Sequence, residues 1–264
     1  MRYIAIGAAL TLLAGLATLP GGRSASAADN DQKWGTVKGQ ITVAGNAPKP
    51  EMIDVNKDKD HCLSKGPLFK EEWVVNPKNK GVRWVLVWLT PEKGANAKLP
   101  IHPDLEKFKP EVSMDQPCCQ FVPHCLGMRS GQKLVMHNSA EVSHNVHWTG
   151  NPRMTSGGNV VIPKKKSYTI NNISHSDKAF LPIVNIQCDF HTWMRGRVGV
   201  FDHPYFAVTD KDGNFEIKNA PAGKWRLKIL HDSGWLGGRN GRDGQPVTVK
   251  GGKVTTVKNL KLTP

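Results

Sequence analysis

Cys188, His191 and Met194 lie within the run Cys-Asp-Phe-His-Thr-Trp-Met, and His144 stands upstream in Ser-His-Asn-Val-His-Trp. Three donors at that spacing cannot all project from one face of a regular strand, whose side chains alternate. The run is therefore expected to be a loop that leaves one strand and enters the next, Arg195 to Phe201. His144 must be brought to it from elsewhere in the chain. It follows a strand-like stretch, Lys133 to Asn138, that starts after the turn signal Ser130-Gly131.

One thiolate, two imidazoles and one thioether suit copper. Soft sulfurs favour Cu(I), imidazoles serve both oxidation states, and a weak axial methionine completes the set. Singly, a cysteine is as readily a buried thiol or half of a disulfide, and a lone His or Met is commonly packing. The order and spacing of all four carry the expectation of one copper ion used for electron transfer. No catalytic residue is expected.

Residues from about Phe121 to Phe201 resemble the cupredoxins, and the short ligand loop is most similar to that of the amicyanin type of blue copper protein. The matching blocks are Phe121-Val-Pro, Gly131-Gln-Lys-Leu-Val, Asn138, His144-Asn145-Val146-His147 and Cys188 through Val200. The resemblance implies a type 1 site with His144, Cys188 and His191 as equatorial ligands and Met194 as the axial one. It implies that Asn145 pins the ligand loop. It also implies that the edge of His191 lies near the surface among Phe190 and Trp193 as the electron port. His147 has no ligand role in that pattern.

Met1-Arg2, the apolar stretch Ile4 to Leu19 and the small residues Ala25-Ser26-Ala27 read as a signal peptide over residues 1–27, cleaved after Ala27 or Ala28. The mature chain is then expected in the periplasm or secreted, with no membrane span. In such a compartment the four cysteines other than Cys188 can form up to two disulfides with three connectivities. Neighbouring Cys118 and Cys119 would make a strained bridge, so Cys62 pairs with one of the three downstream. Cys62 to Cys119 is favoured because Cys119 lies two residues before the matched Phe121. His61-Cys62 and His124-Cys125 are not read as a second metal site, since the residue before Cys188 is Gln187.

The chain carries a formal charge of +14, and removing Arg2 and Arg23 with the signal leaves about +12. A positive field steers acidic partners, and salt weakens it. An acidic cytochrome or redox enzyme fits; nucleic acid does not fit an exported chain. The short clusters at Lys57 to Lys59 and Lys164 to Lys166 are ordinary solvated faces.

About 236 mature residues exceed one cupredoxin, so a second domain is expected. Gly35 to Val43 alternates as a strand, Val82 to Leu89 is a more apolar one, and Phe206 to Ile217 reads as two strands joined by an Asp-Gly hairpin. Trp225 to Leu230 and Lys253 to Leu262 add two more. The blocks at Gly35 to Val43, Thr209 to Phe215 and Pro221 to Trp225 resemble the carboxypeptidase regulatory-like, or transthyretin-like, β-sandwich, with Trp225 at a position usually held by Tyr. Asp210, Asp212 and Asn214 imitate a calcium loop, but Pro221 stands where the bidentate Glu is required.

The expected fold is all-β: a Greek-key cupredoxin sandwich at 109–203, inserted in or joined to a transthyretin-like sandwich built from 33–108 and 204–264. Short helices are expected near Pro103 to Phe108 and within Asp54 to Lys65. The expected function is an exported blue copper protein that shuttles single electrons. The rival readings are a copper-binding or copper-storing surface or adhesion module, and a copper-dependent reductase.

Overall fold

The computed structural model describes residues 33–92, 98–175 and 181–264. The signal-peptide reading of residues 1–27 lies outside them. Among the described residues no helix is long and apolar enough to cross a membrane.

The protein is built from sheets, because its apolar residues recur with a period of two. In β1 (Trp34–Val43), Val37, Ile41 and Val43 are buried while Lys38 between them is exposed. β1 lies between β12 (Asn214–Pro221), antiparallel, and β16 (Val254–Leu262), parallel. A second sheet is made by β2 (Leu86–Thr90), β11 (Phe206–Val208), β13 (Gly223–His231), β14 (Gly234–Trp235) and β15 (Gln245–Val249). The two sheets share one core, which includes Ile41, Val87, Leu89, Tyr205, Phe215, Leu227 and Leu260. Strands from before and after residues 109–203 thus hydrogen-bond to one another.

The turn before β12 has hairpin chemistry and not that of a calcium loop. Asp210 Oδ1 accepts from the backbone N–H groups of Asp212 and Asn214 at 2.8 Å each. Gly213 takes φ +76°, where a Cβ would stand 2.3 Å from the Ile41 carbonyl. Only glycine meets both demands.

The intervening chain forms two further sheets. One runs in the order β4 (Cys125–Arg129), β10 (Arg195–Phe201), β9 (Ile183–Gln187), β6 (His144–Gly150) and β7 (Gly158–Ile162). The other holds β3 (Glu111–Met114), β5 (Lys133–Asn138) and β8 (Lys166–Ile170). Phe121, Met128, Leu134, Met136, Val146, Ile186 and Val198 fill the space they share. A third, smaller cluster of Leu86, Trp88, Cys125, Phe201 and Leu230 joins the two halves. Gly199 in β10 permits that approach, since a Cβ there would lie 2.5 Å from Leu86 Cδ2.

The α-helix α1 (Lys59–Cys62) and a single 3₁₀ turn at Pro103–Leu105 are the short helices expected near those positions. One assignment of chain to core differs from the sequence reading. Residues 51–70 form a strap, closed at its base by Ile53 N–H to Leu68 O and Lys70 N–H to Glu51 O at 2.9 Å each. Its apolar residues Val55, Cys62 and Leu68 pack into the core around Phe121, not into the β1 sandwich that precedes them in sequence. The cause is covalent as well as apolar: Cys62 is bonded to Cys119, and adjacency in sequence gives way to that link.

Candidate metal centre

Register delivers the loop. Gln187 ends β9 and pairs with Arg195, which begins β10, so residues 188–194 span the end of one antiparallel pair. Within it Met194 N–H donates to His191 O at 2.8 Å and Cys188 N–H to Met194 O at 3.3 Å. β6 is the other neighbour of β9, and His144 is its first residue. The four sequence-selected residues are thereby gathered at one end of the sandwich and buried, His144 and His191 at 0 % exposure, Cys188 at 2 % and Met194 at 1 %.

Cys188 Sγ lies 3.7 Å from His191 Nδ1, and the rings of His144 and His191 are 4.6 Å apart, centre to centre. His144 Nδ1 is 3.2 Å from Asn138 Oδ1; with the proton there, the lone pair falls on Nε2, which is buried without a hydrogen-bond partner. Burial, with the neighbouring imidazole of His191 second, pushes the His144 pKa down to about 3. The ring is neutral at physiological pH and its orphaned nitrogen is free to donate. Burial raises the Cys188 thiol, against hydrogen bonds from the main chain of Asn145, His191 and Phe190 that favour the thiolate. A buried orphan nitrogen, a thiol and a second imidazole are donor types that copper takes, and an ion on His144 Nε2 would repay the cost of burying that nitrogen unpaired.

Asn145 holds the loop. Its Oδ1 accepts from Asp189 N–H at 2.7 Å, Phe190 N–H at 3.2 Å and the Cys188 thiol at 3.1 Å. Its amide donates to Asn159 Oδ1 at 2.8 Å and Asp189 Oδ2 at 3.2 Å. Asp189 also accepts from Asn159 at 2.7 Å and Gln187 at 2.9 Å, and His147 Nδ1 lies 3.2 Å away. These bonds, that with His147 foremost, keep the Asp189 carboxyl below the usual range. His147 therefore belongs to the support of the loop.

The expectation of a surface-facing His191 edge is corrected. The ring is fully covered, and its Nε2 lies 2.8 Å from Asp58 Oδ2. Asp58 precedes α1 in a left-handed conformation and makes no capping bond, so its carboxylate is available to the imidazole. Burial lowers the His191 pKa, with Asp58 opposing. Phe190 and Trp193 remain half-buried: Lys57 Nζ sits 4.9 Å over the Phe190 ring, and Trp193 Nε1 donates to Cys119 O at 3.0 Å. Sequence reasoning missed Asp58, Asp189 and Asn159, for which no local signal exists. Asn138 was in a matched block but had no role.

Cys118 and Cys125 are unbridged. His124, beside Cys125, pairs with carboxylates and belongs to no compact group of three metal-ligating atoms among the described residues. Its Nε2 lies 2.7 Å from Asp232 Oδ2 and its Nδ1 3.6 Å from Glu71 Oε2, while Arg197 Nη1 is 3.1 Å from Asp232 Oδ1. Burial works against charging His124, but the two carboxylates outweigh it and raise its pKa. This clasp ties Asp232, after β13, to the strand that follows Met194.

No protein-family profile matches the chain, and no curated relative does. Solved structures similar to part of it include a reduced mutant of amicyanin, at 19 % identity and TM-score 0.30 over 36 % of this chain and 86 % of that one. A purple cupredoxin from Nitrosopumilus maritimus shows 16 % identity and TM-score 0.28 over 34 % and 98 %. The Cu(I) form of another amicyanin mutant shows 16 % identity and TM-score 0.29 over 43 % and 97 %.

Proposed function

We propose that this chain is an exported type 1 copper protein that carries single electrons, with His144, Cys188, His191 and Met194 holding one ion. The observation that carries the reading is the burial of a thiol and two imidazoles against one another, one imidazole with an unpartnered nitrogen. When bound, copper supplies a one-electron couple between Cu(I) and Cu(II). The protein's part is to keep the donors where both oxidation states accept them. Asn145 fixes the thiol side of the loop, Asn138 sets the proton of His144, Asp58 orients His191, and the surrounding core excludes water.

On this reading residues 109–203 are a cupredoxin inserted in a transthyretin-like sandwich, the chain works in the periplasm or outside the cell, and the charge of about +12 that remains without the signal selects an acidic cytochrome or redox enzyme. Electrons pass by way of the half-buried Phe190 and Trp193 beside the covered His191. Stopped-flow reduction of the Cu(II)-loaded mature protein tests this. One electron is taken up per copper, and the rate with an acidic protein donor falls steeply as salt rises. Slow, salt-independent reduction refutes the carrier role.

A second reading, a copper-holding module without electron exchange, is favoured by one observation: the strap leaves no exposed edge on His191. The same experiment separates the two, because a holding module keeps its copper oxidised in the presence of a partner-like donor.

A further inference from the structure

Sulfur and imidazole donors meet a second time, where the strap covers His191. One sulfur from each of Cys62 and Cys119 and a ring nitrogen of His191 all lie within 4.8 Å of one another, and the three residues are buried. The two sulfurs are joined as a disulfide. Bonded to each other they are poor ligands; as thiolates they would be a soft pair poised beside an imidazole. His191 stands between two sulfur groups. Its Nδ1 is 3.7 Å from Cys188 Sγ, and Nε2 is held by Asp58, four residues before Cys62 on the same strap. His61, next to Cys62, has a buried Nε2 with no hydrogen-bond partner.

We propose that Cys62, Cys119 and His191 form a second, Cu(I)-selective site when the disulfide is reduced. An external dithiol supplies two electrons to the S–S bond and itself becomes a disulfide, and its two protons complete the thiols of Cys62 and Cys119. Cu(I) then displaces both thiol protons and binds between the thiolates, with His191 exchanging Asp58 for the ion. Two thiolates and one imidazole suit Cu(I) and disfavour harder ions such as Mg²⁺ and Ca²⁺. The sulfurs must separate for this, which asks the strap to shift at its tip while its base holds. Cys62 rides near the tip of a strap whose base is pinned independently by its own main-chain hydrogen bonds.

This inference shares His191 with the electron-carrier reading but does not rest on it, and its test uses the mature chain carrying Cys188→Ser, which lacks the loop thiolate. Cu(I) is titrated anaerobically against a chromophoric Cu(I) chelator, with the disulfide intact and after reduction by a trialkylphosphine that is then removed. The reduced chain is expected to hold one Cu(I) at least about 100-fold more tightly than the oxidised chain, since losing even an outer-shell partner of a metal ligand costs about 10–100-fold and two thiolate ligands are gained. X-ray absorption is expected to show two sulfur neighbours and one nitrogen. Adding Cys62→Ser abolishes the gain, whereas adding Cys118→Ser leaves it. Equal binding by the two forms, a sulfur-only shell, or loss with Cys118→Ser overturns the proposal. If reduction unfolds the apo-chain, one equivalent of Cu(I) must restore its near-ultraviolet circular dichroism, and failure to do so overturns it equally. None of these outcomes touches the colour of the wild-type loop, so the two readings fail separately.

Discussion

Replacing Asn145 by alanine tests how the loop is held. The wild-type Oδ1 accepts three hydrogen bonds, two of them from backbone N–H groups of Asp189 and Phe190 that lie partly buried. Alanine leaves those two donors unpartnered in a space too confined for full hydration and also removes the amide's bonds to Asn159 and Asp189. At about 1 kcal/mol for each neutral hydrogen bond, and more for an N–H left buried, the loss comes to about 2–4 kcal/mol. For a chain of this size that lowers the apo-protein melting temperature by about 4–16 °C. Loosening the thiol also weakens copper binding by about 10–100-fold. Urea unfolding of the apo-protein gives the first quantity and chelator competition the second. Asn159→Ala is the control: Asn159 is exposed and bonds side chains of the same network but not the loop backbone, so its two lost hydrogen bonds cost about 1–2 kcal/mol, less than Asn145→Ala. The reasoning is refuted if Asn145→Ala unfolds within about 0.5 kcal/mol of wild type, or if both variants cost the same.

The other predictions concern the clasp, the cover and the charge. Asp232→Ala strips the carboxylate from buried His124 and from Arg197 and is expected to cost about 3–5 kcal/mol, as breaking a buried ion pair does; a loss under about 1 kcal/mol in urea unfolding would contradict the clasp. Because the His124 pKa is raised in the folded chain, its contribution is complete below the unfolded value of 6.5 and fades as pH climbs through the folded one. The difference in melting temperature between wild type and His124→Phe should therefore be largest in mild acid and shrink toward alkaline pH; a difference that grows with pH would be the wrong sign. His144 and His203, lowered to about 3 and about 4, act in the opposite direction, costing stability as pH falls below 6.5, which is why the difference and not the raw curve is read. Asp58→Ala is expected to uncover His191 and speed reduction of the copper form by a small anionic reagent; an unchanged rate would mean the strap does not limit access.

Much of this architecture was legible in the sequence because it is local. Period-two burial in β1 and the Asp-Gly turn before β12 are set by residues a few positions apart, and the seven-residue ligand run can serve only as a loop between strands. The order of the flanking blocks also pointed to strands pairing across the interval 109–203, and β1 does pair with β12 and β16. What could not be read depends on contacts between distant residues. Asp58 meets His191 across 133 positions, and His124 meets Asp232 across 108; neither aspartate carries any mark of its partner. The strap was misassigned for the same reason, since Val55 and Leu68 are too few to announce which of two cores they fill. The open edge of His191 was what the resemblance implied, and the blocks that carry the resemblance begin at Phe121 and leave out the strap that bears Asp58.

The most direct test of the central claim is the optical and electron paramagnetic resonance spectrum of the mature protein loaded with one Cu(II). An intense visible sulfur-to-copper band and a compressed copper hyperfine splitting, both abolished by Cys188→Ser, are the predicted result. A colourless protein with one tightly bound Cu(II), or a spectrum unchanged by Cys188→Ser, would show that the thiol of residue 188 does not hold the ion.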